Sequence, residues 1–250
     1  MIEAKHVYKR FQEKTVLENI SISFESGKTN LIIGLSGSGK TVLMKCLVGL
    51  LDIDEGEILF NGRNFQNIKL EDKKIIRQEI GMLFQGAALF DSQSVEENVM
   101  FPLDIFTDMS LEEKVERVNF CLNRVNMTNS NKLFPSEISG GMKKRVAIAR
   151  AIVLQPKYLF CDEPNSGLDP KTSIVIDNLI AEITKEFNIT TVVNTHDMNS
   201  VLEIGDKVAY INKGKLWWEG NKDNILHSGN KELDDFVYAT ELTRKLRSNP

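Results

Sequence analysis

The stretch LIIGLSGSGKTVLMKCLVGLL, residues 31–51, decides the fold. It opens on a continuous apolar run without polar alternation, the pattern of a parallel strand covered on both faces. It closes on apolar residues that suit a helix, interrupted by Lys45. Between them Gly34, Leu35, Ser36, Gly37, Ser38, Gly39, Lys40 and Thr41 match the phosphate-loop pattern G-x-x-x-x-G-K-[ST] in the strand-to-helix context it requires. A chance match in a chain of this length is on the order of 1%. The glycines let consecutive backbone N–H groups wrap phosphates, Lys40 places its ammonium on the β- and γ-phosphates, and the Thr41 hydroxyl ligates Mg2+.

Outward from this stretch, residues 16–24 alternate apolar and polar like a half-buried strand, and residues 54–62 read as a short strand between turns. Residues 80–84 are another apolar strand, ending in Gln85. SLEEKVERVNFCLNRVNM then predicts a helix opened by a capping box from Ser110 to Glu113, with an apolar face at Leu111, Val115, Val118, Leu122 and Val125. YLFCDE and TTVVNTHD are two more buried strands, separated by the helical SIVIDNLIAEITKEF. Strands alternating with helices predict an α/β fold with a right-handed parallel sheet, and the helix-rich middle predicts an inserted subdomain.

The 250 residues are 42% hydrophobic, enough for a packed core without staples. A net charge of −4 provides no global basic field, so no nucleic-acid partner is expected. Cys46, Cys121 and Cys161 lie in apolar text without metal-ligand spacing and read as buried thiols in a reducing compartment. The N-terminus is charged too early for a signal peptide, and the best apolar run is short and broken by Lys45. A membrane role is therefore expected only through a partner. Residues 226–250 read as a tail carrying a final helix with a frayed end.

Three strand ends carry the remaining chemistry. Asp162 is the best-placed carboxylate for the magnesium of a bound triphosphate, and its neighbour Glu163 is free to accept a proton from an attacking water. His196 ends a strand where parallel sheets gather ligand groups, and there it can hydrogen-bond a γ-phosphate oxygen. Gln85, also at a strand end, reads as a neutral ligand for Mg2+ or water.

SEISGGMKKRVAIARA, residues 136–151, offers a second anion site: Ser139, Gly140 and Gly141 open a helix with a hydroxyl and N–H groups. No lysine, magnesium carboxylate or second strand-loop-helix unit accompanies it, so it is not an independent nucleotide site. It is either a cap on an amphipathic helix with Val146, Ala149, Ile152 and Val153 inward, or half of a site completed elsewhere. Lys143, Lys144 and Arg145 follow, against the helix dipole. Spacing leaves them between adding field at a phosphate and facing solvent.

In this order GLSGSGKT, LFQ, ISGGM, YLFCDEP, SGLD and THD resemble the ATP-binding subunit of an ABC transporter, across residues 2–220. The resemblance implies a P-loop NTPase fold: a RecA-like core over residues 1–85 and 155–225, with an antiparallel β subdomain and a helical subdomain over residues 86–154. It implies ATP and Mg2+ as ligands and a head-to-tail homodimer in which each ATP lies between the phosphate loop of one copy and the SGG signature of the other. Position by position, Phe11 resembles the aromatic that stacks on adenine, and Gln85 the residue linking Mg2+ and lytic water to the transmembrane partner. Asp162 matches the magnesium carboxylate, Glu163 the catalytic base, His196 the switch histidine and Asp169 a carboxylate acting in trans beside Ser139, Gly140 and Gly141. Ile138 and Met142 depart from the usual leucine and glutamine, neither at a phosphate contact.

Within the family, residues 81–103 and GKTVLMKCLVGLL are similar to the ATPases of Mla/Mce-type phospholipid transporters. That similarity implies an integral-membrane permease, an MCE lipid-binding subunit and a place on the cytoplasmic face of the inner (plasma) membrane. Two alternatives stand beside it: a non-transport ABC ATPase of an iron–sulfur assembly scaffold, and an importer motor for another solute, since the permease chooses the substrate. Kinases of small molecules leave SGGMKKR unexplained. DNA-repair and translation relatives need a heptad insert or a second cassette, and neither is present.

Overall fold

The computed structural model describes residues 1–239. Its contacts divide the chain into two compact units, Met1–Ile68 with the chain from Thr190 onward, and Lys69–Ile189. The predicted tail lies outside the described residues beyond position 239.

In the first unit β1 (Ile2–Phe11) and β2 (Lys14–Phe24) form an antiparallel hairpin that β4 (Glu55–Phe60) and β5 (Arg63–Asn64) extend, in the order β2-β1-β4-β5. The alternation expected across residues 16–24 is broken once. Leu17 and Ile20, three apart, are both buried, because Asn19 takes φ +54° where the β1–β2 register shifts. The bulge lets one extra residue pass without turning the apolar set outward.

The second sheet of this unit runs β10-β9-β3-β8, built from β3 (Thr29–Ile33), β8 (Thr190–Asn194), β9 (Lys207–Asn212) and β10 (Lys215–Gly220). Strands β8 and β9 flank β3 in parallel, and every residue of β3 and β8 is buried. Both β3 and β8 are strands covered on both faces, with Leu31–Ile33 and Val192–Val193 as their apolar centres and Thr29, Asn30, Thr190, Thr191 and Asn194 buried at their ends. Lys213 and Gly214 turn β9 into the antiparallel β10 with φ +48° and +76°, the twist-compatible hairpin turn. Helix α1 (Lys40–Leu47) follows β3, α7 (Met198–Ile204) follows β8, and α8 (Lys231–Val237) is the last described helix.

The second unit begins with α2 (Leu70–Gln78) and pairs β6 (Ile80–Leu83) in parallel with β7 (Tyr158–Asp162). Between these strands come α3 (Val95–Phe106), α4 (Leu111–Arg124) and α5 (Gly140–Ile152), and α6 (Pro170–Glu186) follows β7. The Ser110–Glu113 capping box is formed, and a second one, Ser94 with Glu97, opens α3. On α4, Val118, Leu122 and Val125 are buried, but Leu111 is 65% exposed. It sits in the first turn, before the helix reaches its packing partners. On α5 the four expected inward residues, Val146, Ala149, Ile152 and Val153, are all buried.

All three cysteines are buried, and burial pushes the Cys46 and Cys121 thiols up to about 11. Helix α5 ends hard against β6. A Cβ added to Gly81 would lie 2.2 Å from the Ala151 carbonyl oxygen. Gly81→Ala is therefore expected to force helix and strand apart and destabilise the fold by about 1–3 kcal/mol, read as a lower urea midpoint with an unchanged slope.

Candidate functional site

The first unit carries the phosphate loop, and its geometry follows from what surrounds it. Gly34 leaves β3 with φ +147°, and a Cβ there would stand 2.1 Å from the Ile211 carbonyl oxygen on β9. No side chain fits, and an L-residue resists that backbone conformation. At the far end Gly39 caps α1 with φ +109° and gives no side-chain hydrogen bond to the helix. Behind the loop the β9–β10 turn holds the Ser38 carbonyl, which accepts from the Gly214 N–H at 2.9 Å. Leu35, Ser36 and Gly37 form the exposed crest, while Ser38, Gly39 and Lys40 are buried.

These residues fit a polyphosphate. Among the described residues the Ser38 Oγ, buried in the wall of a loop that ends at a helix N-terminus lacking a side-chain cap, has no hydrogen-bond partner. A buried hydroxyl left unpaired costs free energy, which an anion oxygen would relieve. Lys40 is only 7% exposed, and its Nζ donates to the carbonyls of Gly34 at 2.8 Å and Leu35 at 3.0 Å. The ammonium is thereby folded over the loop. The Thr41 hydroxyl accepts from the Asn194 amide at 3.3 Å, a partner at the end of β8 that sequence reasoning missed. An asparagine closing the apolar run TTVVN, two residues before His196, is the signal available in the sequence. His196 itself is exposed just beyond β8, and Phe11 ends β1 with its ring 43% exposed and the Lys9 ammonium 5.4 Å from the ring centroid.

The second unit brings Gln85, Asp162 and Glu163 to the ends of the parallel pair β6 and β7. Asp162 and Glu163 are half-buried, and Glu163 takes the left-handed backbone conformation, φ +49°. Such a conformation in a residue with a Cβ costs roughly 1–3 kcal/mol and persists where surrounding bonds fix it. Here the Glu163 carbonyl accepts from the Ser166 N–H at 3.1 Å, and the Ser166 hydroxyl accepts from the Gln85 amide at 3.2 Å. Among the described residues no group of three or more His, Cys, Asp or Glu side chains forms a metal cage. In the first unit the hydroxyl of Thr41, and in the second the amide oxygen of Gln85 and the carboxylate of Asp162, are hard oxygen donors of the type that Mg2+ prefers.

Ser139 caps α5, its Oγ accepting from the Met142 N–H at 3.3 Å, and Ser139 and Gly140 are exposed. Gly141 is buried, and a Cβ there would meet the Thr172 methyl at 2.7 Å, so α5 and α6 approach closely at this point. Asp169 caps α6. Its carboxylate accepts from the Thr172 hydroxyl and N–H, and these bonds hold its pKa below the usual carboxylate value.

The three cations after the signature do not share one fate. Lys143 and Arg145 are half-buried, but Lys144 is only 5% exposed. Its Nζ donates to the Gln85 carbonyl and lies 3.4 Å from the Glu163 carbonyl oxygen. The ammonium is turned away from solvent and onto backbone carbonyls. Burial lowers its pKa, opposed by the nearby carboxylates of Asp162 and Glu163. Farther along α5, Arg150 donates to the carbonyls of Ala87 at 2.7 Å and Ala88 at 2.8 Å, two residues held at φ +62° and +50°. Beyond this loop the second unit carries a groove of about 300 Å³, lined by Phe84, Phe90, Phe101, Phe106, Arg77 and Arg150 among others.

The family model described as "ABC transporter" matches residues 17–166. The methionine import ATP-binding protein MetN of Clostridium tetani is 39% identical over 244 residues, covering 97% of this chain and 76% of that protein. MetN of Campylobacter jejuni is 35% identical over 253 residues, covering 95% and 75%. Among solved structures, the dimeric post-hydrolysis state of the ATP-binding cassette MJ0796 bound to ADP and Pi is 30% identical, with a TM-score of 0.80 over 89% of this chain and 99% of that one. CbiO1 from Clostridium perfringens, part of the transporter complex CbiONQ, is 27% identical with a TM-score of 0.84 over 98% of each chain. The P-loop NTPase fold expected from the sequence is thus the fold of ABC cassettes. The phospholipid expectation, and the MCE subunit with it, finds no support among these relatives, whose names are those of a methionine importer.

Proposed function

The chain belongs to the ABC transporter family and is one of its ATP-hydrolysing subunits; from that premise we propose that it drives a membrane permease importing methionine or a closely related amino acid. The observation that carries the motor role is the phosphate loop, with its buried unpaired Ser38 hydroxyl and the folded-over Lys40 at the uncapped start of α1. The observation that carries the solute is identity to methionine import proteins over 97% of this chain. It favours the importer alternative over both the phospholipid and the assembly-scaffold readings.

In this reading the N–H groups of residues 34–41 and the Lys40 ammonium hold the β- and γ-phosphates, and Phe11 covers the adenine. Thr41, Gln85 and Asp162 supply oxygen ligands to Mg2+, which when bound neutralises charge on the transferred phosphoryl group. Glu163 takes the proton of the attacking water, and His196 hydrogen-bonds a γ-phosphate oxygen. A second copy of the chain presents Ser139, Gly140, Gly141 and Asp169 to the same nucleotide, so the working unit is a head-to-tail homodimer. Residues 1–85 and 155–225 serve as the core and 86–154 as the helical subdomain.

No helix among the described residues is long and apolar enough to cross a membrane, so a permease must supply the pathway. The groove beside the loop after Gln85 suits its cytoplasmic segment: Phe84, Phe90 and Phe106 are exposed, and Arg77 and Arg150 would meet an acidic group. The chain then sits at the cytoplasmic face through that contact.

Uptake of labelled methionine in cells lacking the gene tests the solute. Uptake should fall and return with the wild-type chain but not with Glu163→Gln. Undiminished uptake rejects the methionine assignment, whereas a chain that, purified with its permease, releases no phosphate from ATP rejects the motor.

A further inference from the structure

We propose that Lys144 is a positioning residue for hydrolysis, locking Gln85 and Glu163 into one frame with the helix that carries the SGG signature. The proposal rests on the roles given above to Gln85 and Glu163. Four hydrogen bonds close a ring within the second unit. The Lys144 ammonium meets the carbonyls of Gln85 and Glu163, the Gln85 amide donates to the Ser166 hydroxyl, and the Ser166 N–H donates back to the Glu163 carbonyl. Three separate segments are joined: the loop after β6, the loop after β7, and α5.

A cation is an unusual choice for such a position. Lys144 is buried, it stands near the positive end of its own helix, and among the described residues no carboxylate oxygen is bonded to it. A solvated surface would be the better place for a lysine if packing were all it served. What the ammonium supplies, and an apolar side chain of the same length does not, is several donors on one point, able to hold two carbonyls from different loops. One of these carbonyls belongs to a residue kept in the left-handed conformation, the other to the residue that ends β6 with an amide. Both side chains leave from backbone that Lys144 pins.

The same helix connects this ring to the signature. Ser139 and Gly140 stand exposed at the start of α5, and Lys144 lies little more than one turn further in. A displacement of the helix start by a neighbouring copy's nucleotide is thereby carried to Gln85 and Glu163 of this chain. Two ATP sites of a homodimer would be linked through a single side chain in each copy.

Lys144→Met and Lys144→Gln, compared with wild type in the complex with its permease, test this. Methionine keeps the length and removes every donor; glutamine keeps an N–H2 that can reach one carbonyl. Methionine leaves the Gln85 carbonyl without its Lys144 donor and the Glu163 carbonyl with the Ser166 N–H alone, so Lys144→Met should melt modestly below wild type and Lys144→Gln closer to it. The kcat of Lys144→Met for ATP should fall about ten- to a hundredfold, the cost of a misplaced catalytic group, with KM for ATP within about threefold. Lys144→Gln should recover a large part of kcat. A Lys144→Met kcat within twofold of wild type overturns the proposal. So does a loss that glutamine does not repair. Wild type that fails to hydrolyse ATP in the same assay instead rejects the function on which the proposal rests.

Discussion

Glu163→Gln is expected to bind ATP as wild type does, to hydrolyse it on the order of 10²–10⁴ times more slowly, and to accumulate as a nucleotide-bound dimer. Glutamine has the shape of glutamate and keeps its hydrogen-bonding oxygen, but it takes no proton from water at neutral pH. The backbone at this position is held from outside the side chain, by the Ser166 N–H and Lys144 on the Glu163 carbonyl, so its φ of +49° should survive the exchange. Neither the phosphate loop nor Lys40 is touched, and affinity should therefore stay. If closing the dimer needs ATP and opening it needs hydrolysis, blocking the proton transfer stops the cycle with two chains together. Phosphate release gives the rate, and light scattering with and without ATP gives the mass. Turnover close to wild type would remove Glu163 from the role of general base.

What could be read in advance was local. GLSGSGKT required its strand and helix, Ser110 with Glu113 required a helix start, and the inward face of α5 followed from 3.6-residue spacing. The hairpin β9–β10 carried an equally local signal, Asn212-Lys213-Gly214 between two apolar runs, and was overlooked. It matters because its turn braces the Ser38 carbonyl. Lys144 was of another kind. Its partners are main-chain carbonyls 59 and 19 residues away, and spacing along one helix gives no access to them. The same holds for Arg150 and the loop at Ala87 and Ala88.

That the phospholipid expectation finds no support among the relatives has a physical reason as well. Residues 81–103, whose text resembled phospholipid-transport ATPases, form β6, its following loop and the start of α3, and they contribute Met82, Phe84, Phe90 and Phe101 to the apolar groove. Such residues answer to the shape of a docking partner. In the reading proposed above they grip the permease, and their text then bears on that contact more than on the solute carried.

Pairing defective chains should show that one ATP needs two copies. In a head-to-tail dimer each site takes Lys40 from one chain and Ser139 from the other. With Lys40→Ala on one chain and Ser139→Arg on its partner, both lesions fall on a single site and the other site is intact. With both substitutions on one chain and a wild-type partner, each site receives one lesion. The first heterodimer should keep up to about half of wild-type hydrolysis, and the second should drop by about 10²–10³, the loss typical of removing one electrostatic contact to the developing charge. Sites formed within single chains would give two damaged sites in the first pairing and one intact site in the second, the reverse order. Folding is not the confounding variable. Ser139 is exposed, and its arginine variant loses an N-cap worth about 0.5–2 kcal/mol, while the Lys40 ammonium donates to the Gly34 and Leu35 carbonyls of its own loop. Both pairings also carry the same two substitutions per dimer, so a general loss of stability lowers them equally. Only the assignment of the SGG signature to the neighbour's nucleotide predicts that their order depends on which chain bears which change, and equal rates in the two pairings would refute it.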